Sequence, residues 1–331
     1  MESYNFVVNM DSDNISILKK DDGIVLSEPM VAVINSRLKK DNVVYVGDEA
    51  ISYLGKLPKG YELVYPIKNG KIANFDICVG ALEKFLSKVE ENKFFKKRSI
   101  VFLVPCGIDE KNLKSFKNLG YALSCKSVKL VPRVVAASLI DQTKKDLASM
   151  QVYLAEDYVD VAVLYNNKII NGHSIDLGES IIKNKLKAYI DNYMGLSVEA
   201  AILDKIQHEM ATILPNDIIV SNYRGFDEDN ELKIFSLNSL DLNGIYLNYV
   251  GEIADIIDTL IKTYSSQVIA ELKAVGINLS GKMVDITGLD KFLSNRLDID
   301  IKILDKPEYI SLLGMANILH DCNLIDSLAI E

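Results

Sequence analysis

The chain has 331 residues, 49% of them hydrophobic; single cores stop growing at about 250–300 residues, so two domains or one large α/β unit are expected. Lys and Arg number 37 against 46 Asp and Glu, a net charge of −9 that repels a phosphate backbone, and with no basic stripe interleaved with aromatics no nucleic-acid partner is expected. The cysteines Cys78, Cys106, Cys125 and Cys322 form no C-x-x-C pair, and His173, His208 and His320 lie far apart, so neither a disulfide framework nor a metal site is predicted.

Taken in order, the chain opens with alternating stretches at Tyr4 to Met10, Ile15 to Lys19 and Gly23 to Leu26, separated by Asp11-Ser12-Asp13-Asn14 and Asp21-Asp22-Gly23. They predict a three-strand meander. Helical periodicity follows at Asp76 to Glu91 and Glu110 to Leu123, around a buried-strand run at Ser99 to Val104. A second meander is predicted at Gln151 to Leu154, Val159 to Tyr165 and Lys168 to Ile175, turning at Asn166-Asn167. Repetition of the pattern nearly half a chain later implies two related domains, with the crossover near Leu139 to Met150. Further helices are predicted at Glu179 to Tyr193, along Leu240 to Val275 and at Pro307 to His320, with a strand at Met283 to Thr287. Strands and helices alternating after each meander favour an α/β architecture. The first ten residues lack a charged stretch followed by an apolar one, and no run of roughly 18 apolar residues occurs. A reduced, cytoplasmic setting is expected.

Several segments together resemble MreB, the bacterial actin homologue. They are Gly23-Ile24-Val25-Leu26-Ser27-Glu28-Pro29, Val46-Gly47-Asp48-Glu49-Ala50, Leu54-Gly55-Lys56-Leu57-Pro58 and Tyr65-Pro66-Ile67-Lys68-Asn69-Gly70-Lys71-Ile72-Ala73-Asn74-Phe75-Asp76. The family reads G-I-V-L-x-E-P, V-G-x-x-A, L-G-R-T-P and P-L-x-D-G-V-I-A-D-F there. Val104-Pro105-Cys106-Gly107, Ser174-Ile175-Asp176-Leu177-Gly178 and Asp305-Lys306-Pro307 with Leu313-Gly314 extend the match over almost the whole chain. The resemblance implies an actin-like ATPase fold: two related domains, each a β-meander with flanking helices, around an interdomain cleft. The first domain would span 1–139, with a C-terminal helix at about 307–331 returning to it, and the second 140–306.

An actin-type site cradles phosphates between glycine-rich hairpins, because side chains would keep backbone N–H groups from the anionic oxygens, and it needs carboxylates for magnesium. Aligned to the family's D-L-G-T-x-N, the first hairpin reads Asn9-Met10-Asp11-Ser12-Asp13-Asn14. Asn9 replaces the metal-side aspartate and Asp11 the glycine; Asp11 and Asp13 repel phosphate unless a cation intervenes, and otherwise form a solvated turn. Against D-I-G-G-G-T-T-E the second hairpin reads Tyr153-Leu154-Ala155-Glu156-Asp157-Tyr158-Val159-Asp160, with no glycine and with Glu156 and Asp157 adding negative charge. Where the family places L-I-E-E-P-x-A-A-A, this chain has Leu130-Val131-Pro132-Arg133-Val134-Val135-Ala136-Ala137-Ser138. Pro132 and Arg133 replace the glutamates, leaving no base to orient water; Arg133 reads as a surface or interdomain salt bridge in preference to a phosphate clamp. The family's T-G-G-G turn is assigned to Thr287-Gly288-Leu289-Asp290, with Gly288 left as its one glycine and Leu289 and Asp290 as losses. Gly178 completes the nucleotide-site positions. No catalytic residue and no cofactor are predicted, with ATP and Mg as the alternative.

Asn92-Lys93-Phe94-Phe95-Lys96-Lys97-Arg98 is a basic cluster around two aromatics. Inserted Phe94 and Phe95 with Lys93, Lys96, Lys97 and Arg98 at anionic headgroups would hold a membrane surface, each charge contributing about 1 kcal/mol; MreB-like proteins bind membranes through a loop in this region. The function implied is an MreB-like cytoskeletal pseudo-ATPase. It would be a structural subunit peripheral to the inner face of the membrane, in homo-filaments or hetero-filaments with MreB-type proteins, serving cell shape or wall synthesis. The alternatives are a divergent ATP-binding filament ATPase and a monomeric actin-fold adaptor, for which Leu240 to Val275 would offer a partner surface.

Overall fold

The structure, a computed structural model, describes residues 4–38, 42–90, 98–141, 143 and 145–330. Two five-stranded sheets dominate it. In the first, the meander Phe6–Met10, Asn14–Lys19, Gly23–Pro29 is extended from Phe6–Met10 by two parallel strands, Ser99–Val104 and then Ser127–Pro132. The second repeats the arrangement: the meander Ser149–Leu154, Val159–Tyr165, Lys168–Ile175 is extended from Ser149–Leu154 by Ile277–Gly281 and Ile301–Ile303. Phe6–Met10 and Ser99–Val104 are buried at every residue, as expected of central strands covered on both faces. At Asn166-Asn167 both residues take positive φ, 53° and 60°, which suits a tight hairpin turn matched to strand twist.

Helices Phe75–Val89 and Glu110–Ala122 cover one face of the first sheet through Cys78, Leu82, Phe85, Phe116 and Leu119. Each begins at a side-chain cap: Asn74 Oδ1 accepts from Ile77 N at 3.2 Å and Asp109 Oδ1 from Asn112 N at 2.9 Å, so these helix starts are written locally. The other face, with Val7, Leu18, Val101, Leu103 and Val131, is closed by Val135 and Ala136 of helix Arg133–Ser138. The C-terminal helices Ile310–Ala316 and Cys322–Leu328 cover the rest of that face. Helices Glu179–Tyr189, Ala200–Glu209, Ser239–Ile261, Ser266–Val275 and Leu289–Leu297 pack on the second sheet.

Three predicted elements change. The long helix at Leu240 to Val275 is two helices, Ser239–Ile261 and Ser266–Val275, because Ser265 caps the second, its hydroxyl 3.5 Å from Val268 N. Its apolar residues Leu242, Tyr246, Tyr249, Ile253 and Ile257 lie in the core, while Leu240 and Leu247 are exposed. The strand expected at Met283 to Thr287 is Ile277–Gly281 instead, paired parallel to Ser149–Leu154; Lys282–Asp285 is a single 3₁₀ turn. Pro307 to His320 shortens to helix Ile310–Ala316. Elements not predicted include the three-stranded sheet Val43–Val46, Ala32–Asn35, Tyr61–Val64, the ribbon Val220–Phe226 with Leu232–Asn238, and helices Ala200–Glu209 and Leu289–Leu297. No helix among the described residues is long and apolar enough to cross a membrane.

Candidate functional site

The turns of the two meanders face each other, and Arg133 lies between them. It is the first residue of a helix that starts where strand Ser127–Pro132 ends, and it is fully buried. Its Nε donates to Asn9 Oδ1 at 2.6 Å, one Nη to the Met10 carbonyl at 2.6 Å and the other to the Tyr158 hydroxyl. The same guanidinium sits 3.2 Å from Asp11 Oδ1 and 5.6 Å from the ring centroids of both Tyr153 and Tyr158. Asp11 in turn accepts from the hydroxyls of Tyr153 at 2.7 Å and Tyr158 at 3.1 Å, and from Asn9 Nδ2 at 3.4 Å. A buried ion pair persists only where hydrogen bonds satisfy its remaining atoms, and here both partners have them. Burial and then the Asp11 charge raise the Tyr153 pKa well above its ordinary value, so the phenol keeps the proton it donates. Arg133 thus makes a salt bridge that is neither on the surface nor between domains: its carboxylate partner, Asp11, belongs to the same half of the chain, and only its bond to Tyr158 crosses the cleft.

The backbone of these turns is also engaged. Asp11 N donates to Asn14 O at 2.8 Å and Ala155 N to Tyr158 O at 3.0 Å. The first N–H groups of helix Glu179–Tyr189, which would attract an anion if open, go to the second turn: Glu179 N to Ala155 O at 3.3 Å and Ser180 N to Glu156 O at 2.9 Å. Gly178 permits this, since a Cβ there would stand 2.1 Å from Glu156 O. Asn14 Nδ2 bonds Ser16 and Ser27 hydroxyls at 2.9 and 3.2 Å, while the Ser12 hydroxyl is buried with no partner among the described residues.

Beside the arginine lies a second charged cluster that the sequence reading missed. Lys282 pairs with Asp13, and Lys183 reaches Glu156 at 2.9 Å, Asp204 at 3.0 Å and Glu179 at 3.2 Å. Burial raises the Asp13 pKa against the pull of Lys282. Burial and then the neighbouring Glu179 push Glu156 up to about 8. For Lys183 burial opposes the charge, but Glu179 and Glu156 outweigh it and its pKa rises. The one sequence signal for this group was Glu179 with Lys183, four apart at a helix start.

Two assignments need correction. Thr287-Gly288-Leu289-Asp290 does not face the cleft: it opens helix Leu289–Leu297, with Gly288 set against Leu214 and Ile213. The turn that does face it follows the parallel strand and reads Ser280-Gly281-Lys282-Met283. Gly281, at φ 96°, passes so close to Leu154 that a Cβ would meet its carbonyl oxygen at 2.1 Å. Arg98 cannot touch lipid: it is 1% exposed, bonded to Glu90 at 2.6 and 2.8 Å, to Glu83, and to Leu123 O at 3.2 Å. Lys93, Phe94, Phe95, Lys96 and Lys97 lie outside the described residues. Asp157 points to the far edge of the cleft, accepting from Asn69 N at 3.0 Å. What space remains is about 180 Å³, lined by Asp11, Asp13, Tyr153, Glu156, Lys282 and Glu308 among others.

The profile of the MreB/Mbl protein family matches residues 3–327. The chain belongs to that family. It is 24% identical over 328 residues to the cell shape-determining protein Mbl of Bacillus cereus, covering 98% of each chain. To the cell shape-determining protein MreB of Escherichia coli it is 23% identical over 314 residues, covering 93% of this chain and 90% of that one. The fold matches MreB5 of Spiroplasma citri bound to ADP with a TM-score of 0.87 at 16% identity, over 97% of both chains. The AMPPNP-bound form of the same protein gives 0.86 over 98% of both chains. The MamK double helical filament gives 0.80 at 13% identity, over 96% of this chain and 99% of that one. The architecture is the actin-like ATPase fold.

Proposed function

We propose that this chain is a cytoskeletal subunit in cell-shape determination that works as a scaffold and does not turn over ATP. The names of its relatives support the cytoskeletal part, and the MamK filament supports assembly. The observation that carries the second part is Arg133, whose guanidinium and partner Asp11 occupy the space between the two turns with every contact made inside the protein. A magnesium-bound triphosphate does not fit these residues. It needs open N–H groups at both turns and carboxylates free to hold the metal, whereas Asp11 and Asp13 are spent on Arg133 and Lys282 and Glu156 is taken up by Lys183. Calorimetry with ATP and magnesium tests this directly: no saturable heat is expected, and a micromolar affinity overturns it.

The rival reading, an ATP-binding filament protein, is favoured by solved relatives bound to ADP and to AMPPNP, and the same titration decides between them. In the scaffold reading, 1–139 with the C-terminal helices form one domain and 140–306 the other. The subunit pellets alone or with an active MreB-type protein, and Phe94 and Phe95 attach it to the inner face of the membrane. Co-sedimentation with anionic liposomes is expected to fall when both phenylalanines become serine; undiminished binding refutes the attachment.

A further inference from the structure

We propose that side chains take over the task of holding the cleft shut, so that the closed form is built into the polypeptide and is indifferent to nucleotide. This rests on the scaffold reading of the site and extends it to conformation. Around the arginine, Tyr153 and Tyr158 of the second sheet donate to Asp11 of the first, and Arg133 of the first donates to Tyr158 of the second. A separate pair, Lys282 to Asp13, crosses beside it. At the opposite edge, the tip of the hairpin Ile67–Lys68 with Lys71–Ile72 crosses too: Asn69 N donates to Asp157 Oδ2 at 3.0 Å and Asn69 Nδ2 to Asp176 Oδ1 at 3.1 Å. At the base, Cys106 N donates to Asp160 Oδ2 at 3.1 Å and Gly107 N to Ser174 Oγ at 2.9 Å, while Ser174 bonds Asp160.

The chemistry on the two sides is matched. Asp157, Asp160 and Asp176 are acceptors in or beside the second meander, and each meets an N–H of Asn69 or Cys106 from across the cleft. The residue that resembles an aspartate position in the family pattern is Asn69 here, whose side-chain amide donates to Asp176 where a carboxylate would repel Asp157 and Asp176. Gly70, at φ 64°, lets the hairpin tip rest on the Tyr158 ring and Pro105; a Cβ would stand 2.9 Å and 2.5 Å from them. The tip, the tyrosine and the arginine thus form one continuous contact from rim to base.

Three amides report the closed state, because the acceptors of Asn69, Cys106 and Gly107 all lie across the cleft. Hydrogen exchange followed by mass spectrometry on peptides spanning residues 66–72 and 104–108 reads them in the intact chain. In the nucleotide-free wild type both peptides are expected to be protected, with no change on adding ATP and magnesium. The variant Lys282→Met with Tyr158→Phe is expected to speed exchange in both peptides roughly tenfold or more, while strand Ser149–Leu154 keeps its protection and certifies the fold. Asn69→Asp, a milder change at the rim, is expected to release both peptides with the same strand unaltered. Loop-rate exchange in the nucleotide-free wild type overturns the proposal, as does unchanged protection in both variants. Protection that appears only with ATP overturns it together with the scaffold reading. Saturable ATP heat with protection already complete overturns the scaffold reading alone.

Discussion

Replacing Arg133 by methionine removes hydrogen bonds to Asn9, Met10 and Tyr158 and the counter-charge of Asp11, while roughly conserving volume. Asp11 is 5% exposed, so its carboxylate would remain buried with only the two phenols and Asn9. Breaking such a pair costs about 3–5 kcal/mol. Unfolding entropy near 2.1 cal/mol/K per residue gives about 0.7 kcal/mol/K for a chain of this length, so Tm falls by about 4–7 °C. Asp11→Asn alone leaves the guanidinium unpaired and also destabilises. The double variant, in which neither charge remains, is expected to recover about 2–3 kcal/mol relative to the sum of the single changes. Urea titrations of the four proteins provide the cycle. Because the pair is enclosed, its coupling is expected to survive high salt, unlike that of an exposed pair. Additivity within about 0.5 kcal/mol would refute the argument that Arg133 and Asp11 act as a unit.

Glu156, raised to about 8 by burial and Glu179, binds a proton in the folded chain over a range where it is ionised when unfolded. Its contribution is fully present below about pH 4.5 and is lost as pH rises to about 8, so Tm should fall between those values, and less steeply in Glu156→Gln. Equal slopes would contradict that. Gly178→Ala drives a Cβ onto Glu156 O and Asp157 C, at 2.1 and 2.3 Å, and is expected to cost about 1–3 kcal/mol in urea unfolding. A neutral result would mean the helix start and the turn are not in contact. Arg98→Met strands Glu90, whose side chain is 10% exposed, and is expected to cost about 3–5 kcal/mol by the same measurement; a change under about 1 kcal/mol would return Arg98 to the surface.

Local signals carried the meanders and the capped helices, since alternation and a well-placed Asn74 or Asp109 act within a few residues. Pairings made over long sequence distances did not show. Nothing near Arg133 announces that Tyr158 and Asp11 enclose it, and a basic residue after a strand usually meets solvent. Arg98 was misread for a different reason: its partners Glu83 and Glu90 are near in sequence, but it ends a run of Lys and Phe that reads as surface. The third glycine turn was misplaced because Thr287-Gly288 copies the letters of the motif. Ser280-Gly281 copies its position at the end of a buried parallel strand, a property of the sheet.

Helix Arg133–Ser138 is crossed by the C-terminal helix Ile310–Ala316 so closely that a Cβ on Gly314 would stand 1.9 Å from Ala136 O, and Ser311 Oγ bonds the Arg133 carbonyl at 3.1 Å. During synthesis the outer face of the first sheet must therefore wait, with Val7, Leu18, Val101, Leu103 and Val131 uncovered, until Leu312, Met315 and Ile325 emerge. At about 5–20 residues per second that is a delay of about 10–40 s. Through that interval the nascent chain leaves part of an apolar sheet face uncovered, and the bond from Ser311 to the Arg133 carbonyl is among the last contacts that can form.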